Sequence, residues 1–249
     1  MEQPGTSAAD PIQDIERPVV VLSKDYAPGY CTTFHRHART QFLFAKNGTM
    51  RAQTTVGSWI VPPGYGLVIP AKTEHRIEMF GAVALRSAYI YASQLPLRHQ
   101  TSCRVIQVSP LLFACIDRLS IEPPEYDEGS VAGNIAAIII AEIADTTPSA
   151  MALPFPASPK LNPVVRTLLL DPSDERSIDE WADVLAMSRR SFTRLFRRET
   201  GMSFDQWRQR RRFQTATELL ALGQPMQKIS ATVGYGSVSA LKAMMSKFA

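Results

Sequence analysis

The sequence of 249 residues has few cysteines and no long apolar run. Its three cysteines, Cys31, Cys103 and Cys115, are an odd number at unrelated spacings, which argues against a disulfide framework or a zinc ribbon. The longest apolar run, residues 135–141, is far shorter than the ~20 residues that a membrane-spanning helix requires. The first thirty residues lack the basic start and apolar block of a signal peptide. We therefore expect a protein of the reducing cytoplasm that has no membrane segment.

Strong compositional bias is also absent. Hydrophobic residues make up 45% of the chain and charged residues 20%, which is typical of a globular protein with a real core. These proportions exclude a largely disordered, collagen-like or coiled-coil chain. At roughly 100–150 residues per domain, the length fits one large domain or two modest ones.

A positive charge excess is missing from the first 159 residues, which hold 12 Lys and Arg against 14 Asp and Glu. Residues 160–249 hold 15 against 9, and nine arginines fall within residues 189–212. A basic module attached to a nearly neutral one is typical of a protein that binds nucleic acid. The charge alone leaves a second interpretation open, which is a solvated basic face without a partner.

A proline-rich stretch, residues 146–163, separates these two parts of the chain. Its five prolines are Pro148, Pro154, Pro156, Pro159 and Pro163. Because proline neither continues a helix nor donates to a strand ladder, we predict a semi-extended linker. The predicted domains are therefore residues 1–145 and residues 164–249.

Short strands separated by turn signals characterise the first predicted domain. Clusters of β-branched and aromatic residues predict five strands, at residues 19–22, 42–45, 59–61, 66–69 and 83–91. Pro-Gly and Asn-Gly pairs lie between them, which favours a sandwich or a small barrel. Two helices are predicted to follow, at residues 110–121 and 131–144. The predicted fold class is thus α+β, in which a β-barrel with two helices precedes an all-α domain.

The second predicted helix carries an apolar stripe at helical spacing. The stripe consists of Ile135, Ile138, Ile139 and Ile143. Core packing would explain it, and so would a seam between two helices of a homodimer formed through residues 131–144. The sequence leaves both explanations open.

Residues 178–200 have the pattern of a helix-turn-helix. A capping box from Ser177 to Glu180 begins a short helix, and after the turn Ser188 can cap a second one. Three residues of the second helix face inward, namely Phe192, Leu195 and Phe196. Four face outward, namely Arg190, Thr193, Arg194 and Arg197. The second helix of such a unit enters the major groove, where arginine binds guanine edges and phosphates. The alternative is an ordinary surface helix of an α-helical domain.

A second unit of the same kind follows forty-nine residues later. A short helix at 226–232, a turn at 233–236 and a helix beginning after Ser237 are predicted. Its predicted core is Ile229, Val233, Leu241 and Met245. A long helix, residues 204–222, joins the two units and could set two recognition helices into successive major-groove segments, about 34 Å apart.

These stretches resemble the DNA-binding domain of the AraC/XylS family of bacterial transcription regulators. The resemblance covers residues 176–249 and depends on the segments SRRSFTRLFRRETG (188–201) and GYGSVSAL (234–241). It implies base contacts by Arg190, Thr193 and Arg194. It implies phosphate contacts by Ser188, Arg189 and Arg197. In the second recognition helix the polar candidates for DNA contacts are Ser237, Ser239 and Lys242.

Two features depart from that family. Ala243 stands where some members have a base-contacting arginine. The chain also stops at Ala249, before a Gly-x-Ser-Pro-x-x-Tyr segment that the family usually has. Truncation at residue 249 is therefore one interpretation, and it would weaken the second unit.

The N-terminal strands contain a set of histidines whose spacing resembles the two cupin motifs. His35, His37, Gln41 and His75 stand where cupins have two histidines, a glutamate and a third histidine around a divalent metal. Residues two apart on a strand point to the same side, so His35 and His37 can converge. Gln41 replaces the glutamate, and Lys72 replaces a usual glycine. Three imidazoles would still suit a divalent metal, and a pocket for a small effector without any metal is the alternative.

The sequence therefore predicts a transcription regulator that binds double-stranded DNA, with a cupin-like domain for sensing or dimerisation. RNA polymerase would be a further partner if the protein is an activator. No nucleophile–base pair or pair of carboxylates stands out, so we expect no enzymatic activity. Two alternatives stay open: a truncated paralogue that binds DNA weakly, and a cupin metalloenzyme with a vestigial helix-turn-helix tail.

Overall fold

A computed structural model describes residues 12–146 and 152–248. These residues contain nine strands, namely β1 (Val19–Tyr26), β2 (Thr40–Ala45), β3 (Thr49–Gln53), β4 (Gly57–Val61), β5 (Tyr65–Ile69), β6 (Arg76–Phe80), β7 (Val83–Ile90), β8 (Arg104–Gln107) and β9 (Ala152–Pro154). They also contain eight α-helices, namely α1 (Pro110–Leu119), α2 (Val131–Asp145), α3 (Asn162–Leu170), α4 (Ile178–Val184), α5 (Arg189–Thr200), α6 (Phe204–Ala221), α7 (Met226–Thr232) and α8 (Val238–Met245).

The described residues form two compact units. The first contains residues 12–54 and 61–146, and the second contains residues 55–60 and 152–248. The start of the first predicted domain, the middle of the predicted linker with Pro148, and Ala249 lie outside the described residues.

The first unit is a β-structure with two helices, as the sequence predicts. Five antiparallel strands form a sheet in the order β1, β7, β2, β5, β8, and β3 pairs with β6. Side chains alternate between the two faces of the sheet along β2. Phe42 and Phe44 point to the face that α1 and α2 cover, and they belong to the same hydrophobic cluster as these helices. Gln41 and Leu43, also buried, point to the opposite face. Strands β3, β6 and β8 did not emerge from the sequence.

Helices α1 and α2 cover the sheet, and each begins at a serine cap. The Ser109 side chain accepts from the Leu112 amide, and the Ser130 side chain accepts from the Ala132 amide. Their apolar faces join the sheet core, which includes Ile116, Ile139 and Ile143 at 0% exposure.

This packing places part of the apolar stripe of α2 in the core and leaves the rest exposed. Ile139 and Ile143 are core residues, and Ile135 packs against the same core. Ile138 is 39% exposed, and it lies on a face of α2 that also exposes Val131. Of the two explanations that the sequence leaves open, core packing therefore applies to Ile139, because the sheet already buries its side chain.

The second unit contains helices α3 to α8 and a short antiparallel pair of strands, β4 and β9. Its main core is aromatic: the rings of Phe192, Phe196, Phe204 and Trp207 have centroids 5.5–6.0 Å apart. In the second helix-turn-helix Met244 is buried at 3% exposure, whereas Met245, the predicted core residue, is half-buried. A helix starting at Val238 brings residue 244, three after the fully buried Leu241, to the core face.

The predicted linker differs from the described structure in its second part. Residues Ala152–Pro154 form β9, which pairs with β4 through an antiparallel register. Leu153 and Leu161 are fully buried in the aromatic core of the second unit. Proline is tolerated here because β9 is only three residues long and ends at Pro154.

Among the residues that the structure describes, no helix has both the length and the apolar character needed to cross a lipid bilayer.

Candidate DNA-binding surface and histidine cluster

Helices α4 and α5 form a helix-turn-helix. The Ser177 capping box starts α4, with both of its hydrogen bonds present. The turn requires a left-handed residue, and Ala186 adopts a φ of 51° there. The Met187 amide donates to the Ala182 carbonyl at 2.9 Å, which closes the turn. Gly201, with a φ of 73°, ends α5 in the left-handed conformation that favours glycine.

The outer face of α5 consists of polar and cationic side chains. All four residues that the sequence predicts to face outward are exposed, namely Arg190, Thr193, Arg194 and Arg197. Within the described residues, the three arginine side chains have no ion-pair or hydrogen-bond partner. Guanidinium groups without an internal partner are available to base edges and phosphates.

Ser188 and Arg189 already have partners inside the protein. The Ser188 hydroxyl accepts from the Ser191 amide at 3.2 Å, as an N-cap. The Arg189 guanidinium bonds Asp179 of α4 at 2.5 Å, on the surface. A phosphate contact by Arg189 would therefore replace or share an exposed ion pair, and such pairs contribute little to stability.

Helices α7 and α8 repeat the arrangement. Gly234, with a φ of 73°, forms the turn, and Ser237 caps α8 by accepting from the Ala240 amide at 3.1 Å. Leu241 is fully buried, whereas Ser239 and Lys242 are exposed. All three sequence candidates of this second unit thus lie at its surface.

In the first unit, the structure brings the three predicted histidines together. The imidazole centroids are 4.9 Å apart for His35 and His37, 4.4 Å for His35 and His75, and 5.3 Å for His37 and His75. One nitrogen from each ring lies within 4.8 Å of the other two. The backbones of His35 and His75 bond each other in both directions, at 2.8 and 2.9 Å, which fixes their spacing.

Hydrogen bonds occupy the Nδ1 atoms of His35 and His75 and leave their Nε2 atoms to face the cluster. The Nδ1 atoms of His35 and His75 each lie 2.8 Å from a backbone carbonyl, of Thr33 and Thr73 respectively. A neutral imidazole that donates from Nδ1 presents its Nε2 lone pair to the cluster. The buried Nε2 of His75 and both ring nitrogens of His37 have no hydrogen-bond partner within the described residues.

Burial keeps two of these rings neutral. Desolvation, together with the neighbouring His75 and His35, lowers the pKa of His37 to about 3. Desolvation also lowers the pKa of His75 to about 4, against a raising effect from the Thr73 carbonyl. Neutral imidazole is the form that binds metal.

Gln41 is linked to the histidines through Tyr89. Its amide nitrogen donates to the Tyr89 hydroxyl at 3.0 Å and to the Ser87 hydroxyl at 3.2 Å. The Tyr89 ring in turn contacts His37 edge to face, with centroids 5.0 Å apart. The sequence did not single out Tyr89, because its position opposite Gln41 follows from the register of β2 and β7, which no local pattern shows. Lys72 takes a φ of 63°, which explains why a glycine is usual at its position.

Comparisons with known proteins identify the second unit. A family model described as a helix-turn-helix domain matches residues 181–249. The chain is 28% identical to the HTH-type transcriptional regulator NimR of Escherichia coli K12 over 213 residues. The aligned region covers 86% of this chain and 77% of NimR. Residues 181–249 are thus an AraC-type helix-turn-helix domain, and the chain is a DNA-binding transcription regulator.

Two further proteins are similar to part or all of this chain. The HTH-type transcriptional regulator RipA of Corynebacterium glutamicum is 34% identical over 88 residues, which are 35% of this chain and 27% of RipA. A crystal structure of ToxT from Vibrio cholerae aligns over 99% of this chain and 95% of ToxT, with 9% identity and a TM-score of 0.40.

The structure corrects the interpretation of the basic stretch in this AraC-type domain. Four of its nine arginines lie on α6 and donate to backbone carbonyls of the second unit instead of projecting as a binding face. The pairs are Arg208 to Arg176, Arg210 to Ala152, Arg211 to Leu169 and Arg212 to Pro172, at 2.9–3.0 Å. Arg212 also lies over the Tyr235 ring of the second turn, 5.4 Å from its centroid. The sequence alone does not show which arginines of a basic stretch donate inside the protein and which form a DNA-binding face.

Proposed function

We propose that the regulator reads DNA with α5 in the major groove, through Arg190, Thr193 and Arg194. The observation that carries the proposal is the outer face of α5, whose arginines are exposed and have no side-chain partner within the described residues. Arginine donates to both acceptors of a guanine edge, which the major groove presents. Arg197, with Ser188 and Arg189, contacts phosphates and fixes the register of the helix.

The second helix-turn-helix contributes through Ser237, Ser239 and Lys242 of α8. With 18 residues, α6 is about 27 Å long at 1.5 Å per residue. This length is comparable with one turn of DNA, about 34 Å, so two recognition helices joined by α6 suit successive major-groove segments. Because Ala243 offers no hydrogen bond, α8 adds less sequence discrimination than α5.

The Arg194→Ala variant is expected to lose about 1–3 kcal/mol of affinity for the operator and to accept other base pairs at one position. Arg197→Ala, on the same exposed face, is expected to weaken all sequences alike and to lower the salt dependence. Binding titrations of both variants on operator and random duplexes at several salt concentrations make the comparison. Equal losses on operator and random DNA for Arg194→Ala would remove Arg194 from the base-reading set.

A second candidate function is sensing of a divalent metal by the histidine cluster. His35, His37 and His75 fit an ion because one ring nitrogen from each converges and two of the rings, those of His35 and His75, bond backbone carbonyls through Nδ1. Two imidazole nitrogens bound to one tetrahedral zinc ion are ~3.3 Å apart, so these ring nitrogens, which lie within 4.8 Å of one another, would close by at most about 1.5 Å on binding. Bound there, the ion would tie three residues of the first unit together. The alternative is a small effector that hydrogen-bonds the same unpartnered nitrogens.

Protein incubated with Co²⁺ and then desalted is expected to retain about one equivalent, detected by elemental analysis and by its absorption spectrum. His75→Ala is expected to lose the ion, while Gln41→Glu is expected to bind it more tightly because it adds a negative oxygen ligand. His99→Gln is the matched control, since His99 is buried outside the cluster, beside the Ala144 carbonyl. Equal retention by wild type and His75→Ala would exclude the metal site and leave the effector pocket.

The regulator also forms a homodimer, in our proposal, through the exposed face of α2. Val131 and Ile138 on this face are 68% and 39% exposed, and burial in a partner would remove them from water. Ile139 takes no part, because it belongs to the core of the first unit.

Ile138→Glu is expected to shift the protein from dimer to monomer in sedimentation velocity while the free energy of unfolding of the monomer hardly changes. A carboxylate at position 138 is exposed to water in the monomer but is buried among apolar side chains in the dimer, so the change destabilises only the dimer. Ile139→Glu, the neighbouring control, should instead destabilise the fold strongly, because it buries a carboxylate in the core. A dimer that persists in Ile138→Glu places the interface elsewhere.

The proposal includes no catalytic step, and the regulator works in the cytoplasm, where its DNA is. If the protein is an activator, RNA polymerase would be its further partner. The metalloenzyme alternative would be favoured by two results together. DNA binding would not respond to metal or effector, and the first unit would turn over a substrate.

A further inference from the structure

A basic recess lies beside the recognition helix, between α5 and the segment that precedes α3. It has a volume of about 280 Å³. Its lining consists of Ser158, Lys160, Met187, Ser191, Arg194, Leu195 and Arg198. Three of these side chains are cationic, two carry hydroxyls, and none of them is a carboxylate.

The charge of this recess is not balanced within the protein. Lys160 and Arg194 are exposed and have no ion-pair partner among the described residues. Arg198 bonds Glu199 at 2.9 Å and is thus partly neutralised. The recess consequently attracts an anion, and the two hydroxyls of Ser158 and Ser191 can donate to its oxygens.

The segment that carries Lys160 is fixed in place. Leu161, next to it, is fully buried in the aromatic core of the second unit. The Glu199 carboxylate bonds Arg198 at 2.9 Å and faces this segment; the Arg198 bond, together with the nearby backbone of Ser158 and Ala157, holds the pKa of Glu199 below its ordinary value. Lys160 is therefore placed before any ligand arrives, so its backbone loses little conformational freedom on binding.

We propose that this recess holds the phosphate backbone of DNA and that Lys160 supplies a phosphate contact outside both helix-turn-helix units. Arg194 belongs both to the recess and to the outer face of α5, so the strand that borders the groove read by α5 passes the recess. A lysine ammonium suits this role because it is a compact charge without base specificity. The inference rests on the proposed DNA-binding mode.

The test measures binding of a random-sequence duplex over a salt series, with wild type, Lys160→Gln and Lys160→Arg. Loss of one phosphate contact lowers the magnitude of the slope of log K against log salt by about 0.9. The affinity ratio of wild type to Lys160→Gln should thus shrink about 3.5-fold between 50 and 200 mM salt. Lys160→Arg should keep the wild-type slope. Lys24→Gln, the same chemical change on β1 of the first unit, controls for the loss of one positive charge from the chain.

Each outcome decides a different point. A lower slope for Lys160→Gln alone, with unchanged thermal unfolding, supports the phosphate contact. A wild-type slope in Lys160→Gln overturns it, and the recess would then suit an acidic segment of a protein partner. Wild-type protein that fails to bind any duplex would refute the DNA-binding mode itself, as distinct from the role of Lys160.

Discussion

Acidification from pH 7 to pH 5 is expected to destabilise the metal-free first unit by about 2 kcal/mol for each of His37 and His75. Burial lowers the pKa of these rings from 6.5 to about 3 and about 4 in the folded state. Between pH 6.5 and these values the unfolded chain binds protons that the folded one does not, so stability falls as the pH falls. One pKa unit corresponds to 1.36 kcal/mol, and the carboxylates are still mostly ionised at pH 5.

The measurement is the free energy of unfolding by urea at pH 7, 6 and 5, in the presence of a chelator. The double variant His37→Gln/His75→Gln should lose much less stability over this range than wild type, because its replaced side chains do not titrate. Parallel profiles for wild type and the double variant would show that the two histidines are protonated in the folded protein. A bound metal would strengthen the pH dependence, since it also requires the neutral rings.

Replacement of Phe196 by Ala is expected to destabilise the second unit by about 3–5 kcal/mol. The Phe196 ring is fully buried and contacts Phe192, Phe204 and Trp207, with centroids 5.5–6.0 Å apart. These contacts hold α5 against α6, so truncation leaves a cavity directly behind the recognition helix. DNA affinity should fall along with stability.

Two control variants separate packing from recognition. Thr193→Ala, exposed on the same helix, should change the free energy of unfolding by no more than about 0.5 kcal/mol while it still alters DNA binding. Phe196→Leu, which keeps most of the volume, should cost less than about 1.5 kcal/mol. A loss below 1 kcal/mol in Phe196→Ala would mean that α5 does not depend on this aromatic core.

The sequence by itself determined the local features of the molecule. Serine caps and the apolar positions at helical spacing define the helix-turn-helix units, because each depends on residues within one or two turns. The same locality explains the convergence of His35 and His37, which are two residues apart. His75 was placed with them by resemblance to the cupin motifs.

Only the tertiary structure decided which side chains face a partner. Ile138 and Ile139 are equivalent in the sequence, yet the sheet buries one and leaves the other exposed. Likewise Arg194 projects from α5, whereas Arg212 of the same basic stretch donates to the carbonyl of Pro172, forty residues away. The strand β9 escaped prediction because its partner, β4, lies about ninety residues earlier and its own three residues carry no periodic signal. Burial and pairing of this kind depend on surfaces brought together from distant parts of the chain, and a local pattern contains no information about them.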